Sequence, residues 1–173
     1  MSESEPDVAL GPYSSPDAQP MPWASTAAIL DEAELFWLST VRPDGRPHVT
    51  PLLAARSLGG LCFTTGGRER KAVNLDHNPY CVLTTGTNAL TGVDVVIEGL
   101  AAVVGEHSAR TTAAADFERK YGAHFTDPAG SFYRLGEAVI AGDVRLYRVV
   151  PSVGFAFGKL PVSGQTRYTW SKR

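Results

Sequence analysis

The sequence predicts a mainly β, α+β domain built as a small antiparallel barrel. Three observations support this prediction. Short apolar or alternating runs recur along the chain, tight turns separate them, and few helical patterns interrupt them. Strands joined by short turns pair antiparallel, and closing them into a barrel removes the exposed edges of an open sheet. We count six to seven candidate strands and two or three peripheral helices.

The individual elements follow from spacing and turn residues. The candidate strands are bounded by Gly, Pro, Asn or Asp, and lie at 36–42, 47–56, 61–65, 80–85, 93–104, 144–151 and 153–157. The helical patterns lie at 26–34, 71–77 and 108–121. Ser25 is the expected N-cap of the first helix. Pro47 and Pro51 indicate that the second strand is interrupted or at an edge, and Gly99 is where the long fifth strand can bend.

Length and composition indicate one domain with an ordinary core. The chain has 173 residues, of which 43% are hydrophobic and 20% charged, and its net charge is −2. Such a chain has no general attraction to nucleic acid or to an anionic membrane, so anion binding needs a local cluster. No apolar run reaches the roughly 18 residues of a membrane span. The acidic start lacks the order of a signal peptide, so we expect a cytoplasmic protein.

Residues 1–22 differ in composition from the rest of the chain. They are rich in Pro, Ser, Asp and Glu, which predicts a flexible arm, disordered or lying on a neighbour, before a folded domain at 23–173. Cys62 and Cys81 fall in apolar strands, which favours two reduced, buried side chains over a disulfide. The four histidines have no metal-ligand spacing, so no metal site is predicted.

The strongest chemical signal is the stretch FTTGGRERKAVNLDHNP at 63–79. A Gly-Gly turn follows a strand end, and Arg68, Arg70 and Lys71 lead into a helix. Free N–H groups at a helix N-terminus favour an anion, and cationic side chains add charge-assisted hydrogen bonds. The spacing of a Walker A loop is absent. Local chemistry alone supports a phosphate site and a solvated basic turn equally.

Three segments in this order and spacing resemble the pyridoxamine 5′-phosphate oxidase-like, FMN-binding split-barrel family. They are RPDGRPHVTPL, LCFTTGGRERKAVNLDHNP and DVVIEGLA, within a region of about 24–158. The resemblance implies a six-stranded split β-barrel that forms a homodimer, with the flavin in a cleft between the subunits. A barrel of this length leaves an apolar flank that a two-fold partner can cover.

The resemblance also implies a set of cofactor-binding residues. They are Thr50, Pro51, Leu52, Leu53, Phe63, Thr64, Arg70, Lys71, Asp94 and Arg167. By this match the segment 50–53 lies along the isoalloxazine ring, largely through its backbone. The pair 63–64 lies near the ribityl phosphate, and the pair 70–71 grips that phosphate. Asp94 and Arg167 lie near the ring, where the oxidase has Gln and Arg.

Two departures separate the chain from the oxidase itself. The lysine that ends the ring-contacting strand is Ala55 here, and the terminal Arg-x-His is replaced by GQT at 164–166. The cofactor half of the site is therefore retained, whereas the half that holds pyridoxamine phosphate is not. We expect an FMN-dependent oxidoreductase acting on another small-molecule substrate.

Several alternatives remain open at this stage. Coenzyme F420 is the alternative cofactor, because the Lys-x-x-Asn-Leu motif at 71–75 occurs in both branches of the family. No catalytic residue is assigned, and Arg167 and Lys159 are candidates for polarising the substrate or the ring carbonyls. A flavin carrier without turnover is a second hypothesis. A haem-binding relative is a third, without a histidine clearly placed as an axial ligand.

Overall fold

Nine strands and four helices make up the part of the chain that the computed structural model describes, residues 5–125 and 135–171. The strands are β1 Asp7–Leu10, β2 Phe36–Val41, β3 Pro47–Leu52, β4 Ala54–Ser57, β5 Gly60–Thr65, β6 Tyr80–Thr85, β7 Val93–Val103, β8 Arg145–Gly158 and β9 Gly164–Thr169. The helices are α1 Trp23–Glu32, α2 Arg70–His77, α3 His107–Phe125 and α4 Leu135–Ala141. No helix within these ranges is long and apolar enough to cross a membrane.

The strand pairings close into a barrel. The ladder runs from β3 through β2, β6 and β7 to β8, and the first half of β8 pairs with β5, which pairs with β4. Only Leu53 separates β3 from β4, so the two halves of one bent segment complete a ring of six strands. The ring is split because β3 pairs with β2 while β4 pairs with β5. This confirms the predicted antiparallel barrel, with helices at its periphery.

Two apolar clusters stabilise this arrangement. The barrel interior is filled by fully buried side chains that include Phe36, Leu38, Phe63, Val95 and Tyr147. The second cluster packs α3 and α4 against the outside of β4, β5 and β8, and includes Ala55, Cys62, Phe117, Val139 and Leu146. The two cysteines are free and buried, one in each cluster, and burial raises the pKa of each thiol to about 12.

Strand β7 bends at the glycine that the sequence singled out. The register with β8 shifts between Glu98 and Gly99, so the ladder has an irregularity there. A Cβ at Gly99 would lie 2.2 Å from the carbonyl oxygen of Val150. Only glycine allows the two backbones to approach this closely, which confirms the expected bend.

Part of the predicted arm is ordered structure. Strand β1 pairs with β9 from Asp7↔Thr169 to Leu10↔Thr166. Farther along, the Met21 N–H donates to Thr166 Oγ1 at 2.8 Å. The expectation of a flexible arm is therefore wrong for these residues, because edge pairing uses backbone groups that any composition supplies. The domain boundary at residue 22 stays a prediction.

Other differences concern element ends. The predicted strand at 47–56 is two strands, and those at 144–151 and 153–157 are one continuous strand, β8. Helix α1 begins at Trp23 without a side-chain cap, so the capping role expected of Ser25 is wrong. Strand β9 and helix α4 had no predicted counterpart. The stretch 125–135, whose sequence predicts a loop or a broken helix, lies mostly outside the described residues.

Candidate cofactor site

The split of the barrel places helix α2 beside the free part of β3. Ala54 pairs with Phe63, but the residues before it leave β5 and pair with β2 alone. The chain then turns at 66–69 and enters α2, which packs on β2. The Asn74 Nδ2 group of α2 donates to Thr40 Oγ1 at 2.9 Å, and both side chains are buried. Helix α2 is therefore held against β2, the strand that pairs with β3.

The charges of three cations act on His48 of β3. Burial is the main reason that the pKa of His48 is lowered, and the charges of Arg42, Arg70 and Lys71 lower it further. His48 lies on the inner face of β3, directly opposite Thr40, whose Oγ1 is 3.4 Å from Nδ1 of the imidazole. Arg42, which follows β2, therefore acts on the same imidazole as the predicted pair at 70–71.

The carboxylate of Glu69 lies within this cationic cluster. Its Oε1 accepts the Gly66 N–H at 2.7 Å, and its Oε2 accepts a hydrogen bond from the Lys71 ammonium group. The hydrogen bond from Lys71 is the largest cause of the lowered pKa of Glu69, and the Gly66 N–H is the second. Glu69 is also the N-cap residue of α2. This carboxylate therefore offsets the charge of Lys71.

Two buried polar atoms of the same region have no hydrogen-bond partner among the described residues. They are Nε of Arg42 and Oδ1 of Asn74. An unsatisfied guanidinium N–H beside two further cations and a helix N-terminus suits an anion with several acceptor oxygens. The residues present therefore fit the phosphate of FMN or of coenzyme F420.

The segment 50–53 forms the opposite wall of the split. Strand β3 ends the sheet path, so one of its edges has no partner among the described strands. Its backbone N–H and C=O groups at that edge are available to polar atoms of a ligand. Thr50, Leu52 and Leu53 are half-buried, and Pro51 is exposed on the outer face.

Residues of α3 hold the end of this segment. The Tyr121 hydroxyl accepts the Ala54 N–H at 3.2 Å and donates to the Ala54 carbonyl at 2.8 Å. The Lys120 ammonium donates to the same carbonyl at 2.9 Å and to the carbonyl of Leu30 at 2.8 Å. These contacts fix the backbone where β3 becomes β4.

The two residues of the predicted pair at 63–64 differ in the burial of their side chains. The Phe63 side chain is fully buried, and its ring stacks on Tyr147 with centroids 5.3 Å apart. It cannot touch a cofactor, so any contact from this residue must come from its backbone. Thr64 is half-buried, and the register of Ala54 with Phe63 puts it beside Leu53.

Asp94 and Arg167 lie elsewhere on the same chain. Matched cross-strand pairs form one row on the outer face, which runs Pro51, Trp37, Thr84, Val96, Phe155 and Arg167. Along this path Arg167 is five strands from Pro51, and Asp94 is three strands from it. Neither β7 nor β9 is a neighbour of β3 in the sheet.

Asp94 forms an ion pair with Lys159. The Lys159 ammonium donates to Asp94 Oδ1 at 2.9 Å and to the Thr87 carbonyl at 2.6 Å, and the Thr87 N–H donates to the same Oδ1 at 3.1 Å. The sequence selected Asp94 and Lys159 for separate reasons, and the structure places them together. The charge of Lys159 is largely offset by this partner.

A cavity of about 590 Å³ opens next to this ion pair. Thr87 and Val93 line one side, and Trp37 lines another. Trp37 pairs directly with Pro51, and Thr87 bonds Asp94, so the cavity lies between two of the predicted contact positions. Glu32 and Glu34 make its rim acidic.

The outer face of the sheet exposes large apolar side chains. They are Trp37, Val49, Tyr80, Leu100, Val150 and Phe157, all at least 37% exposed. The cross-strand register puts them on one face of β2, β3, β6, β7 and β8. Leu100 pairs directly with both Tyr80 and Val150, so at least these three form a continuous apolar surface, and such surfaces mark interaction sites when they are large.

A split antiparallel barrel with a cation-lined cleft beside a free strand edge defines a class of barrel proteins suited to phosphate-bearing ligands. A family model described as pyridoxamine 5′-phosphate oxidase matches residues 23–152. The chain therefore belongs to the pyridoxamine 5′-phosphate oxidase family. A search of curated proteins found no match.

Solved structures share this fold at low sequence identity. The conserved hypothetical protein Rv2991 from Mycobacterium tuberculosis is 22% identical with a TM-score of 0.64, over 80% of this chain and 85% of that one. The haem storage protein HutZ from Vibrio cholerae is 20% identical with a TM-score of 0.58, over 79% and 93%. A putative 5-nitroimidazole antibiotic resistance protein from Bacteroides thetaiotaomicron is 14% identical with a TM-score of 0.61, over 98% and 97%.

Several residues of the site were not selected from the sequence. Arg42 closes strand β2, and Glu69 precedes the Arg-Lys pair, but neither stands in a motif. Lys120 and Tyr121 lie on a helix about 70 positions after Ala54, so nothing in the local pattern links them to it. Strand alternation puts His48 on the face of β3 opposite Val49, as the register with β2 also gives.

Proposed function

We propose that this protein is an FMN-dependent oxidoreductase that works as a cytoplasmic homodimer on a small-molecule substrate other than pyridoxamine phosphate. The main support is that the charges of Arg42, Arg70 and Lys71 all act on His48 of β3, whose edge is free, and that Arg70 and Lys71 begin α2. Charge-assisted donors of this kind bind a phosphate, and the strand edge offers backbone groups to a flat heteroaromatic ring.

Bound FMN would supply hydride or electron transfer, and the protein would bind it, orient it and exclude water. The backbone of Thr50–Leu53 would contact the ring, and Thr64 would lie between ring and phosphate. Lys120 and Tyr121 keep this segment in place through Ala54. No described side chain is assigned as an acid or base.

The proposed homodimer is based on the positions of Arg167 and Asp94. Arg167 and Asp94 are on β9 and β7, which are not neighbours of β3 in their own chain, and a second copy would bring them to a ring at the segment 50–53. The exposed apolar side chains of the outer face lie between these two groups of residues and suit a two-fold contact. Association would thus bury that face and complete the site together.

The cavity beside Trp37 and Thr87 is the proposed substrate pocket. Its volume of about 590 Å³ is in the usual range for small-molecule sites. Ala55 is buried, and position 165 is a glutamine on β9, so neither supplies the cation that the oxidase uses for its substrate. An acidic rim also disfavours a phosphorylated substrate.

Coenzyme F420 is the second candidate cofactor. The same cations would take its phosphate, and the Lys-x-x-Asn-Leu motif places Lys71 at the cleft and Asn74 in contact with β2. Arg68, at the exposed turn, could meet its acidic tail. A flavin carrier without turnover uses the same residues and differs only in its lack of activity.

The test is cofactor retention by the purified protein. FMN, F420 and haem are added in separate samples, free ligand is removed, and the absorption spectrum identifies what remains. We expect FMN to be retained. Retention of F420 alone would assign the alternative, and retention of haem alone, or of nothing, would overturn the proposal. Electron transfer from reduced FMN to a panel of acceptors separates the enzyme from the carrier.

The phosphate assignment has its own variant. Arg70→Ala with Lys71→Ala removes two charge-assisted contacts of about 1.5–3 kcal/mol each, so the Kd for FMN should rise about a hundredfold or more. Arg119→Ala is the matched control, because it removes an exposed arginine that pairs with Asp116 on α3. An unchanged Kd in the double variant would show that the phosphate lies elsewhere.

A further inference from the structure

We infer that Glu69 is an internal competitor of the cofactor phosphate, which has to displace its carboxylate before it can bind Lys71 and the Gly66 N–H. This inference rests on the proposed function, because it concerns the same anion site. It assigns a role to a residue that lies between two cations yet carries the charge of the ligand itself.

The contacts of Glu69 are those that a phosphate would make. Its two oxygens accept separately from the Gly66 backbone N–H, at 2.7 Å, and from the Lys71 ammonium group. A phosphate oxygen at the start of α2 needs the same pair of donors, a turn N–H and a lysine. A Cβ at Gly66 would lie 3.0 Å from Oε1, so the glycine lets the carboxylate approach the turn closely.

The lysine in this contact depends on having an anion. The Lys71 side chain is only 12% exposed, whereas that of Glu69 is 52% exposed. A mostly buried ammonium needs a partner, and the glutamate supplies one. Because the glutamate is on the exposed side, it can rotate into solvent when a phosphate takes its place. The exchange keeps Lys71 paired in both situations.

The two anions cannot use these donors together. A phosphomonoester carries a charge of about −1.5 to −2 at pH 7, and a carboxylate a few ångströms away would repel it. The cofactor therefore binds more weakly, because the free energy of the Glu69 contacts is lost when it binds. Phosphate-free ligands that bind only at the segment 50–53 do not meet this competition.

The test variant is Glu69→Gln. Glutamine keeps an acceptor for the Gly66 N–H but loses the charge that binds Lys71. The Kd of FMN and of riboflavin, which lacks the phosphate, is measured by flavin fluorescence for each protein. We expect the variant to bind FMN about fivefold more tightly and riboflavin equally well. Asp116→Asn is the control, because it removes one carboxylate of an ion pair on α3 and should change neither Kd.

The outcomes separate the inference from the proposed function. If wild type binds FMN and Glu69→Gln binds it equally or less tightly, Glu69 only holds the turn at Gly66, and the inference fails while the function stands. Equal tightening for riboflavin and FMN would also overturn it, because the effect would not be at the phosphate. If neither protein binds FMN, the proposed function fails. In that case the inference is tested with inorganic phosphate, whose binding to each protein is followed by the shift of the Gly66 amide resonance. Tighter phosphate binding by Glu69→Gln than by wild type supports the competition, and equal binding overturns it.

Discussion

Replacing Tyr121 with phenylalanine should destabilise the protein and loosen the strand that faces the cofactor. The hydroxyl accepts the Ala54 N–H at 3.2 Å and donates to the Ala54 carbonyl at 2.8 Å, in a fully buried position. Burial also raises the pKa of this phenol to about 12, so it stays protonated and can donate throughout the neutral range. Tyr121→Phe removes both contacts and leaves the ring in place.

The expected loss is about 2 kcal/mol in the free energy of unfolding. A buried N–H that loses its acceptor costs about 1–3 kcal/mol. The carbonyl of Ala54 keeps its hydrogen bond from Lys120 at 2.9 Å, so the loss on that side is smaller. Because Ala54 directly follows the segment 50–53, we also expect the Kd for FMN to rise about fivefold.

Tyr168→Phe is the matched control. Its hydroxyl is likewise bonded twice, to Thr26 Oγ1 at 2.6 Å and to the Met21 carbonyl at 2.8 Å. Urea denaturation should show a similar loss of stability, but FMN affinity should be unchanged, because these partners belong to α1 and the segment before it. Unchanged stability in Tyr121→Phe, or equal loss of FMN affinity in both variants, would refute the reasoning.

Two further predictions concern the barrel. Gly99→Ala should lower the free energy of unfolding by at least 3 kcal/mol in urea denaturation, because its Cβ would lie 2.2 Å from a backbone oxygen. Gly105→Ala is the control and should be neutral, because nothing lies within 4 Å of its Cβ position. Equal effects of the two substitutions would disprove the close approach at Gly99. Lys120 loses its proton near pH 8 in the native state, against an ordinary pKa of 10.5, mainly because of burial. The unfolded state therefore binds more protons between these values, and stability should rise by roughly 1 kcal/mol from pH 7 to 9, after allowance for solvent screening. Lys120→Met should abolish this rise, and an unchanged pH profile would contradict the assignment.

The fold was largely predictable because its signals are local. Turns such as Pro43-Asp44-Gly45 and the alternation of β2 and β6 appear in short windows, so strands and hairpins could be placed. The break at Leu53 was harder to place. The prolines of 47–56 indicated an interruption, but which strand each half joins depends on contacts with β2 and β5. Strand β1 was missed because its pairing depends on the edge of β9 and not on its own composition.

Site residues that are close together in the sequence could be predicted, whereas those brought together by the fold could not. Arg70 and Lys71 are adjacent in sequence and meet at the same helix terminus in the structure. Glu69 was not selected, because its contact with the Gly66 N–H requires the geometry of the turn. Phe63 was selected from a motif, but the motif does not reveal that its side chain faces the core. The pairing of Asp94 with Lys159 spans 65 positions and could only come from the strand register.

The split of the barrel explains why stability and ligand binding are connected in this molecule. A strand that leaves its neighbour gives up ladder hydrogen bonds, and the free edge is useful only if the strand stays in place. Here α3 supplies that support from outside the barrel, through a tyrosine and a lysine that both bind the backbone at Ala54. Helix α2 supports the opposite side through Asn74 and Thr40. The cleft is therefore kept open by side chains that never face it, so substitutions in α3 should alter cofactor affinity without touching the ligand.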